Sequence, residues 1–339
     1  MQILRCLALV VVLSSTQVKA QQPQQQQPSQ QSQPAQPTAT QVEASEVLLS
    51  KTVVLITTYL QGTGAAHGGT GFLISVADSR LPAPQAFGYL VTNRHVAEAI
   101  FKDGNNDCQK HPISHTFVTM NLKNEVNGNR FARFLLSSPV NSWYFSDDPG
   151  VDLAVAPFGF SDDVDAINVN EGMLLTPDVW KQFAVTPGDK VLTTGFFRLY
   201  TGVHQFQPMV REGVLAMVPD DTMKSTLCQS ARVYLTDLHV IPGNSGSPVF
   251  LGPKSFLGGL VHPSNGGIPY LLLGVVAGYM YEDSDLTLRT TTDYEAVLHA
   301  NSGIALVVPA EQLKALLMSA PLRQLRDQTI ASMNAQKPK

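Results

Sequence analysis

The chain has 339 residues, 44% of them hydrophobic and 15% charged, proportions that suit a globular protein with a sizeable core and exclude disorder throughout. The formal charge of −4 and the lack of a Lys/Arg block exclude the electrostatic footprint of a nucleic-acid binder.

Residues 1–20 read as an export signal. Arg5 precedes an apolar run from Cys6 to Leu13, and Val18-Lys19-Ala20 ends on the small residue that a signal peptidase reads. The run is well short of the roughly 20 apolar residues that a spanning helix needs. A periplasmic or secreted chain without stable membrane insertion is therefore expected. Residues 21–45 are almost entirely Gln, Pro, Ser, Ala and Thr, which bury little apolar surface, and are expected to form a disordered linker. Once Cys6 leaves with the signal, Cys108 and Cys228 remain. In an oxidising compartment they form one disulfide or stand as two thiols, and the sequence leaves both open. Two cysteines cannot build a multi-cysteine zinc cage.

From residue 46 onward, short apolar stretches rich in β-branched residues alternate with turn signals, at 53–60, 71–75, 88–92, 116–122, 130–136, 153–158 and 190–194. The rhythm continues at 213–218, 232–235, 248–251, 271–277 and 304–308. Twelve such stretches suit an all-β fold of two six-stranded antiparallel β-barrels or a large sandwich. The domain is expected over 46–320, with the barrel boundary near 160–187. Residues 95–100 suit a short helical turn. Pro309 opens a C-terminal α-helix in which Ala310, Leu313, Leu316 and Leu317 share one face. Pro321 is expected to end or kink it, leaving 321–339 as a tail.

Chemistry concentrates in Pro242-Gly243-Asn244-Ser245-Gly246-Ser247-Pro248-Val249-Phe250, a glycine-flanked turn that delivers a hydroxyl and then enters an apolar strand. A serine hydroxyl needs a base to take its proton and N–H donors for the oxyanion formed after attack. The turn 243–245 (Gly243, Asn244, Ser245) is the expected oxyanion hole. Val91-Thr92-Asn93-Arg94-His95-Val96 puts His95 at the end of an apolar strand, suited to relay a proton. Val151-Asp152-Leu153-Ala154-Val155 supplies a carboxylate to orient the ring, with Asp147 and Asp148 as weaker competitors in a polar loop. His67, His111, His115, His204, His262 and His299 are read as surface or loop residues without a role. A base, an orienting acid and a nucleophile in the chain order His, Asp, Ser differ from the orders of subtilisins and α/β-hydrolases.

These phrases resemble the trypsin-like (chymotrypsin-fold) serine peptidases. Gly243 to Phe250 looks like the nucleophile loop of the glutamyl endopeptidase type. Gly69-Thr70-Gly71-Phe72-Leu73-Ile74 and Pro187-Gly188-Asp189-Lys190-Val191 resemble the DegP-like proteases. The resemblance runs from about residue 53 to 317 and does not extend to the PDZ module that usually follows in the DegP-like group. It implies a chymotrypsin-like fold and a serine endopeptidase that cuts proteins or peptides through His95, Asp152 and Ser245, with no cofactor or metal. The alternative is a catalytically weak binding or scaffolding protein of the same fold.

Where zymogen-type trypsins carry an aspartate before the nucleophile, this chain has Asn244, so activity without a freshly cut amino terminus is expected. His239, Val276 and Gly278 are the expected substrate-binding residues. Val276 stands where the glutamyl type has a histidine, and the apolar wall 273–277 points to a small or aliphatic preferred residue.

Overall fold

The computed structural model describes residues 48–102, 107–136, 143–252, 270–288 and 294–336, with the backbone alone for 283–288 and 294–299. The expected export signal and linker, His262 and the side chain of His299 lie outside the described residues.

Among the described residues, ten strands make up the first half of the domain. They are β1 (Val53–Leu60), β2 (Ala66–Val76), β3 (Phe87–Thr92), β4 (Ile100–Lys102), β5 (Cys108–Lys110), β6 (Ile113–Val126), β7 (Asn129–Leu136), β8 (Tyr144–Phe145), β9 (Ala154–Pro157) and β10 (Val169–Asn170). Eight of them form one sheet in the order β7-β6-β1-β2-β3-β9-β8, with β10 running parallel beside β2, while β4 and β5 pair as a separate ribbon. The second half contains β11 (Lys190–Gly195), β12 (Met209–Met217), β13 (Met223–Lys224), β14 (Ser230–Ala231), β15 (Tyr234–Asp237), β16 (Pro248–Leu251), β17 (Leu272–Leu288) and β18 (Tyr294–Pro309). Six of these close into a barrel, β11-β12-β15-β18-β17-β16, and β13–β14 is a hairpin outside it.

The architecture is all-β and chymotrypsin-like, with two barrel-type halves. The second half is hydrogen-bonded around its full circumference. In the first half, the outer strands β7 and β8 share no ladder among the described residues.

Strand side chains alternate between faces, and here both faces are covered. Val54, Ile56, Leu73, Leu90 and Val118 fill the first half, and Val191, Leu215, Val249, Leu273 and Val307 fill the second. The opposite faces of the same strands, including Phe72, Ile74, Val91, Phe250, Val275 and Val308, meet in a third core between the halves. This two-sided burial explains why the strands read as continuous apolar runs rather than as alternating ones.

The helix expected from Pro309 forms over Ala310–Leu317 and buries Ala310, Leu313, Leu316 and Leu317. The tail expected over 321–339 is corrected by a second helix, Ala320–Ala335, with Pro321 in its first turn, where the missing N–H costs nothing. Its buried residues Leu322, Arg326 and Ile330 form one stripe four residues apart. A short helix, Pro177–Gln182, lies between the halves and was not expected from the sequence.

Candidate active site

His95 lies in the one-turn helix Arg94–Ala97, which begins where β3 ends. Asn93 caps the turn in an extended conformation, and its side-chain amide donates to the Asp152 carbonyl at 2.8 Å. β3 pairs with β9, and Asp152 stands just before β9, so the ladder brings acid and base together. His95 Nδ1 lies 2.6 Å from Asp152 Oδ2, and the His95 backbone N–H donates to Oδ1 at 2.9 Å. Asp152 is only 1% exposed. Burial alone would raise its pKa, but the attraction of the His95 ring and the hydrogen bonds from His95 and from the Thr226 hydroxyl together hold it below the ordinary carboxylate value. The competitors Asp147 and Asp148 are exposed, and Asp148 caps the Gly150 N–H at 2.9 Å.

Ser245 reaches the site from the second half, on the turn between β15 and β16. Two bonds from Thr70 in β2 fasten that turn to the first half, and Thr92 in β3 braces Thr70 in turn. The Thr70 N–H donates to the Ser245 carbonyl at 2.8 Å, the Thr70 hydroxyl to the Gly243 carbonyl at 2.8 Å, and the Thr92 hydroxyl to the Thr70 carbonyl at 2.8 Å. Gly246 has φ +87°, and a Cβ there would fall 1.9 Å from the Thr70 carbonyl oxygen, so no other residue fits. The Ser245 hydroxyl donates to the Ala277 carbonyl at 3.1 Å. It shares with His95 a cleft of about 520 Å³ that is also lined by Gly243, Ala277 and Gly278.

Several expected site residues are corrected. The Asn244 N–H donates to the Ile241 carbonyl at 3.0 Å and cannot serve an oxyanion hole. Its side chain is buried and bonded at both ends, to the Phe196 carbonyl at 3.1 Å and the Ile241 N–H at 3.0 Å. Among the described residues, the Gly243 and Ser245 N–H groups have no protein acceptor. His239 is exposed and Val276 is buried, its N–H and C=O taken by Ser247 and Gly246, and neither lines the cleft. Of the three expected substrate-binding residues, Gly278 does line it.

His67, read as a residue without a role, also lines the cleft. Its ring stacks on Phe101, which stacks on His111. Burial first, and then the nearby His95, Arg198 and His111, lower its pKa to about 4.

Thr226, which no sequence phrase singles out, bonds the same Asp152 oxygen as His95 does. Cys108 and Cys228 are joined in a disulfide. The only sequence signal near Thr226 is its place two residues before Cys228.

No protein-family model matches the chain, and no curated protein matches it. Among solved structures, it is similar to the protease domain of MamO from Magnetospirillum magneticum, at 14% identity over 80% of this chain and 98% of that one, with a TM-score of 0.42. The Rv3671c protease of M. tuberculosis in its active form is 16% identical over 88% of this chain and 93% of that one, with a TM-score of 0.41. A serine endoprotease from Yersinia pestis is 17% identical over 85% of this chain and 68% of that one, with a TM-score of 0.42. At such identities and TM-scores these are likenesses to proteases, and no property of theirs is carried over to this chain.

Proposed function

We propose that the chain is an exported serine endopeptidase, with Ser245 as nucleophile, His95 as general base and Asp152 as the carboxylate that orients the imidazole. The observation that carries this reading is the buried His95–Asp152 pair, bonded through Nδ1 at 2.6 Å, on the same cleft as a serine set in a tight glycine-flanked turn. With Nδ1 engaged by the carboxylate, Nε2 is the ring nitrogen left to accept a proton.

In the reaction, the Ser245 hydroxyl turns from the Ala277 carbonyl to His95 Nε2 and attacks the peptide carbonyl as its proton passes to the ring. The Gly243 and Ser245 N–H groups receive the oxyanion. The C–N bond breaks, and the amine leaves with the proton from His95. A water that gives its proton to His95 then hydrolyses the acyl-enzyme and frees Ser245.

The cleft also suggests a preference. Lys102, Arg198 and Lys224 line it, and no carboxylate does among the described residues, so peptides with acidic side chains beside the scissile bond suit it best. The apolar Ala277–Gly278 wall is left for a small or aliphatic side chain.

A fluorophosphonate probe tests the reading. Wild-type protein is expected to be labelled, and Ser245→Ala to be unlabelled. Replacing Ser245 or His95 lowers peptide turnover by roughly 10⁴- to 10⁶-fold. Folded wild-type protein that takes no label would point instead to a binding or scaffolding role.

A further inference from the structure

An imidazole acting as a base must keep one tautomer and one orientation, so whatever holds the carboxylate still also sets the rate. Asp152 is held partly from outside both sheets. The Thr226 hydroxyl donates to Asp152 Oδ2, and Thr226 lies in the loop 225–229 that joins β13 to β14. The loop has an internal frame. The Ser225 N–H donates to the Gln229 carbonyl at 2.7 Å, the Cys228 N–H to the Ser225 carbonyl at 3.0 Å and the Leu227 N–H to the Ser225 hydroxyl at 3.2 Å. It is also tightly packed against the site, since a Cβ on Gly278 would fall 2.8 Å from Thr226 Cγ2 and one on Gly150 would fall 2.1 Å from the Ser230 carbonyl oxygen.

The covalent attachment of this loop to the first half is the bond from Cys228 to Cys108, 120 residues earlier in the chain. Cys108 Sγ also lies 3.4 Å from the Thr226 carbonyl oxygen. Cys108 belongs to β5, whose partner β4 follows the His95 helix closely, and Lys110 of β5 is paired with Glu98 at 2.6 Å. The bridge therefore closes a ring of contacts that runs from the His95 turn through β4–β5, the disulfide and Thr226 to Asp152, and from there back to His95. Without the bridge, the loop keeps the packing of its buried Ser225 and Leu227 and the one hydroxyl that reaches the carboxylate, so the covalent part of its hold on Asp152 is lost.

We propose that Thr226 is a positioning residue for Asp152 and that the Cys108–Cys228 bridge makes the site redox-sensitive, with the oxidised chain competent and the reduced chain impaired. Reduction by a dithiol is a balanced two-electron exchange. One thiolate of the reagent attacks a sulfur of the bridge and the S–S bond breaks. The sulfur set free takes a proton, and the second reagent thiolate then displaces the other cysteine as the reagent closes its own disulfide. The activity readouts rest on the peptidase reading above, whereas the spectroscopic one does not.

The test compares wild type, Thr226→Val, Thr226→Ser and Cys228→Ser with and without dithiothreitol, using one peptide substrate. Thr226→Val is expected to lower kcat roughly 10- to 100-fold, the scale of one hydrogen bond to a charged group, with little change in KM. The acid limb of its kcat profile moves to higher pH, because a carboxylate relieved of one donor attracts the imidazolium proton more strongly. Thr226→Ser, which keeps the hydroxyl, recovers most of the loss. Dithiothreitol lowers wild-type kcat in the same way, reoxidation restores it, and Thr226→Val and Cys228→Ser respond little to the reagent. Undiminished kcat in the fully reduced wild type, or a Thr226→Val enzyme matching wild type in both kcat and pH profile, would overturn the proposal. If wild type cleaves no peptide, the downfield NMR signal of the His95 Nδ1 proton takes over as the readout. A signal that shifts in Thr226→Val and on reduction supports the proposal and leaves only the peptidase reading to fail, and a signal unmoved in both sinks it.

Discussion

His67 and Asp152 are both partly or wholly withdrawn from water next to His95, and their acid responses occupy different pH ranges. The folded pKa of His67, about 4, lies below its ordinary 6.5. Between these values the unfolded chain binds a proton that the folded chain refuses, so stability falls as the pH drops from 6.5 to about 4, with no further loss from this group below that. Asp152 works in the same direction but over a lower pH range. Its lowered pKa gives stability that is fully present above the ordinary 3.8 and lost as the pH falls through the lower folded value. His67→Gln is therefore expected to flatten the decline of the unfolding midpoint between pH 6.5 and 4 and to leave the decline below it intact. A slope equal to wild type in thermal melts at pH 7, 5 and 4 would refute this. The three residues proposed for catalysis were legible as candidates in the sequence because each stands in a local phrase at a strand end. His67 was not, since its ring stacks on Phe101 and feels the charge of Arg198, both distant in the chain.

The C-terminal helix Ala320–Ala335 shows why a whole element can escape a sequence reading. Its buried stripe is Leu322, Arg326 and Ile330, so a charge occupies the central core position and hides the apolar period. Arg326 is only 5% exposed and donates through Nη1 to the Tyr89 hydroxyl at 2.9 Å and the Leu317 carbonyl at 3.0 Å. Tyr89 lies in β3, the strand that delivers His95, so the helix braces the scaffold of the site from behind. Burial, which outweighs the nearby Arg326, raises the Tyr89 pKa, so the hydroxyl stays protonated at neutral pH. Arg326→Ala leaves two buried acceptors unpaired and removes the packing of a long aliphatic stem. It should cost about 2–4 kcal/mol in urea unfolding. A cost below about 0.5 kcal/mol, the usual effect at an exposed surface position, would show that the helix is not anchored there. The ribbon β4–β5 and the hairpin β13–β14 escaped for a simpler reason. Elements of two or three residues carry no period to read.

For the molecule as a whole, charge is unevenly placed. The chain carries −4, yet its cleft is lined by Lys102, Arg198 and Lys224 without a carboxylate among the described residues. A field of that sign concentrates anionic peptides at the cleft mouth and is screened over roughly 8–10 Å at ordinary ionic strength. Among peptides matched at the scissile bond, those with flanking Glu or Asp are expected to show higher kcat/KM than those with Lys or Arg, and the gap should shrink between 50 and 500 mM salt. A basic preference, or a gap indifferent to salt, would show that the cleft field does not act on substrate. Arg198→Gln is the direct control and should narrow the same gap.

By itself, the sequence determined the strand rhythm, the local phrases around His95, Asp152 and Ser245, and the glycines of the Ser245 turn, because each of these depends on residues within a few positions of one another. Only the tertiary structure decided that Cys108 meets Cys228, that Thr226 holds Asp152, that Thr70 fastens the nucleophile turn, that the Asn244 N–H is spent on Ile241, and which charges face the cleft. The Cys108–Cys228 and Thr70–Gly243 pairings span 120 and 173 residues, Thr226 and Asp152 are 74 apart, and Asn244 turns on the direction of one N–H within a tight loop. Contacts of that kind depend on how the sheets are stacked and how the chain bends in space, and a local pattern of residues carries no record of either.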